Sequence, residues 1–259
     1  MQKRIQNPMR FLTKNYLNEN AQIDTTASNF NGAGLFDYKP YKEDNVLIFN
    51  TRAVEFLVWI KDEYGSFVGR DCDSLYLQNI NWKDFIITGT LVNGGNVELA
   101  NFTGNTQTDL KISFGTAKFS QINFNITDVM TSENTIRAGQ IRLCKFIMDL
   151  IATTETNVTP VVDEGNIRTF DGSLASWINF EKWGARINIR NVKKEQYDLL
   201  KGYIKQDKYV TIIPWTEWEA RDVYEVLIAR GQIGTYAVNR WSGLISQTLN
   251  VEAKEDATN

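Results

Sequence analysis

Paired acids are the first residues in this sequence whose type and spacing suit chemistry. Asp71-Cys72-Asp73 sets two carboxylates on the same side of an extended segment, because side chains alternate along a strand. Asp62-Glu63 and Asp163-Glu164 add two further pairs. Glycosidic hydrolysis needs two carboxyl groups about 5–10 Å apart across a cleft, and Ca²⁺ needs roughly six to eight oxygen ligands. Neither arrangement follows from these spacings, and the turns of a β-protein carry the same residues. The acids are therefore read as solvated turn charges. A structural cation among the loops of the first domain is the lesser reading.

The count that excludes most is that of histidine, which is zero. Without it there is no Ser-His-Asp or Cys-His nucleophile, no His-bearing zinc site and no imidazole switch. The two cysteines, Cys72 and Cys144, fall short of the four thiolates of an all-cysteine zinc site and form no C-x-x-C. Their spacing does not decide pairing, and the expectation is two ordinary thiols. No phosphate-binding loop occurs: Gly32-Ala33-Gly34 is a two-glycine fragment in a polar segment and reads as a turn. Neither catalysis nor a cofactor is expected.

Tryptophans are the remaining candidates. Trp177, Trp183, Trp215, Trp218 and Trp241 crowd the second half of the chain. Pro214-Trp215-Thr216-Glu217-Trp218 suits a platform on which a sugar face stacks, an anchor at a protein interface, or a core beneath a loop. Trp215, Trp218 and Trp241 form the candidate interface, with residues 214–222 expected to be a surface loop between two strands. Lys193, Lys194, Lys201 and Lys205 make a basic helix face, but Glu195 and Asp198 lie among them. With 28 Lys+Arg against 31 Asp+Glu, a net charge of −3, a grip on nucleic-acid phosphates is not expected.

The elements that position these residues are mostly strands. Aromatics make up 12% of the chain, a load that the pleated surface of a sheet accommodates. Between residues 46 and 150 short apolar runs recur every 8–12 residues, the pattern of a β-sandwich. Asn93-Gly94-Gly95-Asn96 marks a hairpin. In residues 121–127 the alternation is strict: Ile122, Phe124 and Ile126 face one way and Gln121, Asn123, Asn125 and Thr127 the other. Residues 152–160, Thr-rich and ending at Pro160, read as a linker or an extended crossing. Beyond it come a hairpin turn at Asp171-Gly172, strands near 175–180 and 185–190, and one amphipathic helix over 193–205 with Tyr197, Leu200, Tyr203 and Ile204 at helical spacing. Strands near 209–213, 222–229 and 242–251 follow. No apolar h-region follows the basic N-terminus, and the apolar run 54–60 is too short to span a bilayer, so export and membrane insertion are not expected.

A family resemblance rests on the order of several segments. Ile23-Asp24-Thr25-Thr26-Ala27-Ser28-Asn29, Leu35-Phe36-Asp37, Phe56-Leu57-Val58-Trp59 and Asn79-Ile80-Asn81-Trp82-Lys83-Asp84-Phe85 come first. Residues 119–126 and Gly139-Gln140-Ile141-Arg142-Leu143 close that run. This first half resembles the discoidin-like, galactose-binding-like jelly roll of virion proteins in tailed bacteriophages and phage-derived particles. The second half resembles their baseplate and distal-tail class through Trp183-Gly184-Ala185-Arg186-Ile187-Asn188-Ile189, the helix segment Glu195-Gln196-Tyr197-Asp198-Leu199-Leu200, a strand ending at Pro214, Val223-Tyr224-Glu225-Val226, and residues 243–249. Sugar or lipid binders of the discoidin-like kind use exposed loop side chains, and no apolar spike pair stands out in this sequence.

The reading is thus a mainly β protein: an N-terminal β-sandwich (jelly roll, galactose-binding-like) over 1–151, a linker over 152–166, a smaller α+β distal-tail-like domain with one helix over 167–251, and a polar tail over 252–259. The resemblance implies a structural, non-enzymatic component of a phage or phage-like tail tip or baseplate. It would be assembled in the host cytoplasm into the virion tail and would contact copies of itself and other tail proteins. The alternative is a carbohydrate-binding module or adhesin, with surface carbohydrate as partner.

Overall fold

The computed structural model describes residues 8–17, 20–25, 27, 30–31, 35, 47–130, 132, 134–150, 157–158, 161–168, 174–207, 209–214, 222–228 and 236–256. Strands dominate, with a single helix among the described residues. The chain divides into two compact units, the first gathering Leu12–Phe146 and the second built chiefly from Met1–Phe11 and the chain from Ile147 onward.

The first unit is a β-sandwich. Its larger sheet has seven strands, with Gln140–Cys144 and Gln22–Thr25 at the ends of its main path. A smaller sheet joins Ile136–Ala138, Leu47–Phe49 and Phe30–Asn31. The longest strand, Leu110–Val129, organises the large sheet. Its first half pairs with Arg70–Gln78, and its second half lies between Val54–Trp59 and Trp82–Leu91. The expected alternation holds: Ile122, Phe124 and Ile126 are buried while Asn125 and Thr127 are exposed.

Around Phe124 the core is aromatic. Phe56 stacks on it with centroids 4.8 Å apart, and Trp82 meets Phe124, Phe56 and Phe85 edge-on at 5.8, 6.2 and 5.5 Å. Offset and edge-on geometries are those the ring quadrupoles favour. Gly89 is where a strand comes too near a ring for any side chain: a Cβ there would sit 2.5 Å from the Phe119 ring. The expected hairpin connects Trp82–Leu91 to Asn96–Phe102, with Gly94 at φ 90 and the Leu91 N–H donating to the Gly95 carbonyl at 2.7 Å.

Three boundaries differ from those expected for domains at 1–151 and 167–251. The strand Met9–Thr13 belongs to a nine-stranded sheet of the second unit, between Phe146–Leu150 and Tyr209–Ile213. Met9 and Phe11 are buried in that unit's core, and the Arg10 guanidinium grips the Asp149 carboxylate with two hydrogen bonds of 2.8 and 3.0 Å. A five-residue strand flanked by polar residues carries too little pattern to be told from a leader. The segment expected as a linker, 152–166, contains strand: Asn157–Val158 and Val161–Arg168 both pair with Leu174–Val192. The expected polar tail is strand as far as residue 256, because Ile245–Asp256 continues its pairing and buries Val251 and Ala253. The turn expected at Asp171-Gly172 lies outside the described residues.

The helix is Lys194–Gln206. It begins where the Gln196 carboxamide oxygen accepts the Lys193 N–H at 3.3 Å. Tyr197, Leu200 and Ile204 enter the core of the second unit, together with Ile187, Ile189, Ile212, Val226 and Leu249 from the sheet.

Phe124→Ala should cost about 3–5 kcal/mol, the range for emptying a buried aromatic site. Urea unfolding of the variant measures it; a loss under about 1 kcal/mol would mean that the ring cluster does not anchor the sandwich.

Candidate functional site

One corner of the first unit brings aromatic rings and polar groups together at the surface. It is built by the end strand Gln22–Thr25 and its neighbour Val54–Trp59, in register so that Gln22 lies opposite Trp59 and Asp24 opposite Leu57. Strand alternation sends Val54, Phe56 and Val58 inward and leaves Glu55, Leu57 and Trp59 on the outer face. The Trp59 indole N–H donates to Asp24 Oδ2 at 2.6 Å. Gln22 Nε2 donates to Asp24 Oδ1 at 2.8 Å, and Lys61 Nζ to Gln22 Oε1 at 2.8 Å.

After Ile60 the chain makes a tight loop. Asp62 Oδ1 accepts the N–H groups of Tyr64 and Ser66, both at 2.9 Å, the Asx-turn role of a short acid. Gly65 adopts φ 79, which a side chain disfavours. The loop lifts Tyr64 to 85% exposure and Phe67 to 59%. Phe67 is not loose: its ring meets Trp59 edge-on at 5.2 Å, and the Lys61 ammonium lies 4.6 Å from its centroid.

The outer face continues inward as an amide and hydroxyl ladder. Gln121 Nε2 donates to Thr90 Oγ1 at 3.0 Å, Thr90 donates to Asn96 Oδ1 at 2.9 Å, and Asn123 Nδ2 donates to Glu55 Oε1 at 2.7 Å. The corner therefore offers ring faces beside a carboxylate, an amide and an ammonium held in fixed directions. The Asp24 carboxylate keeps further acceptor capacity, and the Lys61 ammonium further donors.

The residues singled out in the sequence fall elsewhere. Asp62, read there as one of an acid pair, organises the loop. Asp73 Oδ1 accepts the Phe146 N–H at 2.8 Å and the Ser74 hydroxyl at 2.7 Å, and Asp71 Oδ2 stands 3.9 Å from Lys145 Nζ. Among the described residues no group of three or more acids or cysteines could hold a metal ion. Cys72 and Cys144 are buried thiols not joined in a disulfide, and burial, with Cys144 nearby, pushes the Cys72 thiol well above its ordinary range. No helix among the described residues is long and apolar enough to cross a membrane.

Of the three tryptophans proposed as an interface, Trp215 and Trp218 lie outside the described residues, as does Gly32-Ala33-Gly34. Trp241 sits in the turn before Ile245–Asp256, 98% exposed. Trp183 stacks on Tyr224, centroids 4.5 Å apart. Sequence reading does not single out Tyr64 and Phe67, which stand exposed together on one loop. Their signal was Asp62-x-Tyr64-Gly65-x-Phe67, two aromatics in a turn-forming segment just after an apolar strand.

No family model matches the chain, and no curated protein matches it. Solved structures similar to it include the family 32 carbohydrate-binding module from Streptococcus pneumoniae EndoD, with 13% identity, 51% of this chain and 99% of that one covered, and a TM-score of 0.41. Another is the family 32 module from C. perfringens NanJ in complex with galactose, with 10% identity, 51% and 98% covered, and a TM-score of 0.39. A third is CpGH89CBM32-5 from Clostridium perfringens in complex with GalNAc-β-1,3-galactose, with 8% identity, 50% and 98% covered, and a TM-score of 0.38.

Asp62→Ala should loosen the loop without unfolding the unit, lowering stability by about 1 kcal/mol and speeding amide exchange at Tyr64 and Ser66. Unchanged exchange at both amides would show that the carboxylate does not hold the loop.

Proposed function

We propose that this chain is a non-catalytic carbohydrate-recognition protein and that the Trp59–Phe67 corner of the first unit is its sugar-binding surface. The observation that carries the reading is the pair Tyr64 and Phe67, exposed on a hydrogen-bonded loop with Phe67 braced by Trp59 and Lys61. Large apolar rings left in water favour a partner that covers them. A pyranose has one face of C–H groups to lie on a ring and a rim of hydroxyls to meet Asp24, Gln22 and Lys61. Most of the corner is already ordered by its own hydrogen bonds, which limits the entropy lost on binding.

Titration of the full chain with galactose, N-acetylgalactosamine and their β-linked disaccharides tests this, because Trp59 lies within the site and reports through its fluorescence. Tyr64→Ala and Phe67→Ala should each weaken binding about tenfold, a loss of roughly 1.4 kcal/mol, with the melting temperature nearly unchanged at so exposed a position. Absence of saturable binding to any of these sugars, or binding indifferent to both substitutions, would overturn the assignment.

A second reading, a structural component of a phage or phage-like tail tip or baseplate, is favoured by Trp241. Its ring is almost wholly in water, on a unit that also exposes Tyr236 and Val238. A tail component would cover such rings with a copy of itself or a neighbouring tail protein. Sedimentation at several concentrations separates the readings: a ring-forming tail protein self-associates and loses association on Trp241→Ala, whereas a carbohydrate-recognition module stays monomeric with or without Trp241.

A further inference from the structure

The second unit has an open groove of about 760 Å³ on the outer face of its sheet, within the size range of ligand sites. Its floor comes from two paired strands, with Arg186 opposite Asn250 and Asn188 opposite Thr248. Alternation explains the composition: Ile187, Leu249 and Val251 turn into the core, so Arg186, Asn188, Thr248 and Asn250 are left on the other face. Tyr236 lines one side, its ring held edge-on against Tyr197 of the helix at 5.0 Å. Thr248 Oγ1 donates to Asn188 Oδ1 at 2.5 Å.

Two further features concern charge and backbone. In a chain of net charge −3, the described residues lining the groove include two arginines, Arg186 and Arg190, and no acid among them. Beside Arg190 the strand pairing slips between Ile189 and Val192, and Asn191 takes a left-handed φ of 60. Such irregularities re-aim the neighbouring side chain, and a non-glycine residue with this backbone is uncommon.

We propose that this groove is a second binding site, separate from the Trp59–Phe67 corner and independent of its assignment, and that it takes an acidic glycan whose carboxylates pair with Arg186 and Arg190. The guanidinium fork matches a carboxylate with two parallel hydrogen bonds. Four residues of extended strand separate the two arginines by roughly 13 Å at the backbone, so a ligand engaging both must be longer than one sugar. The amides and hydroxyl between them suit the neutral hydroxyls of that ligand. Single-stranded nucleic acid fits less well, since it is held by a track of cations with successive stacking rings, and Tyr236 is one ring beside two cations. A lone inorganic anion would occupy a small part of the groove.

Calorimetry on the full chain with α-1,4-linked tetragalacturonate, against neutral galactotetraose, tests the proposal. The acidic tetramer should bind, and the neutral one should bind at least about tenfold more weakly at this groove. Arg186→Ala and Arg190→Ala should each lower affinity for the acidic tetramer about tenfold, and salt near 1 M, where screening acts within about 3 Å, should weaken it further. Both arginines are exposed, so each variant should keep its melting temperature. Tyr64→Ala and Phe67→Ala should leave this affinity unchanged, which separates failure here from failure of the corner site. The proposal is overturned if tetragalacturonate does not bind, if the arginine variants bind it like the parent protein, or if an oligothymidylate of equal charge binds this groove more tightly.

Discussion

Everything in the first unit depends on the two-residue alternation along Leu110–Val129. One face of this strand must be dry, because Ile122, Phe124 and Ile126 complete the aromatic core with Phe56 and Trp82. Once that face is committed, the other carries Gln121 and Asn123, and a slip of one residue would exchange the two sets. The strand also pairs with three others, so its register is passed to Val54–Trp59 and through it to Gln22–Thr25. Trp59 is on the surface beside Asp24 because Phe56 and Val58 are not.

The same logic, with a different cover, shapes the second unit. On one face of its sheet the helix residues Tyr197, Leu200 and Ile204 share an apolar core with Ile187, Ile189 and Leu249. The opposite face of the same two strands is polar and forms the arginine-bearing groove. The N-terminal strand completes this sheet although more than a hundred residues separate it from Phe146–Leu150. Its buried Met9 and Phe11 supply the apolar area, and the Arg10–Asp149 pair adds a two-point, partly buried clasp whose geometry exceeds that of an ordinary surface ion pair.

Two buried asparagines inside the sandwich serve the backbone. Buried Asn15 gives its amide N–H groups to the carbonyls of Leu17 and Ile141 and takes N–H groups from Leu17 and Leu143. Asn105 does similar work for Trp82 and Gln107. Each satisfies backbone groups at a place where the sheet ladder ends, and leaving these unpaired would cost about 1–3 kcal/mol apiece. At the surface Asp128 joins Arg52 and Lys83 at 2.5 and 2.9 Å, and these two cations hold its carboxyl far below the usual range. Asp62, Asp73, Asp128 and Asp149 thus fasten turns and strands.

The sequence alone carries the strand-rich class, the helix Lys194–Gln206 with its buried Tyr197, Leu200 and Ile204, the glycine hairpin, and the inward set Ile122, Phe124 and Ile126. These are local: period and turn chemistry act over a few residues, and the chain carries them wherever it folds. It also disposed of histidine-dependent chemistry by composition. Tertiary structure alone decided the rest. Met9–Thr13 has too few residues for its period to declare a sheet partner, and its pairing depends on strands far along the chain. Asp24, Trp59 and Phe67 become one corner only through the register of two strands and the return of a loop. Arg186 and Arg190 share a groove with Thr248 and Asn250 because the pairing of Leu174–Val192 with Ile245–Asp256 sets them side by side. Side-chain exposure was the least legible property: Trp183 is packed on Tyr224 while Trp241 stands in water. The residue type is the same in both, and only what the fold places against each ring distinguishes them.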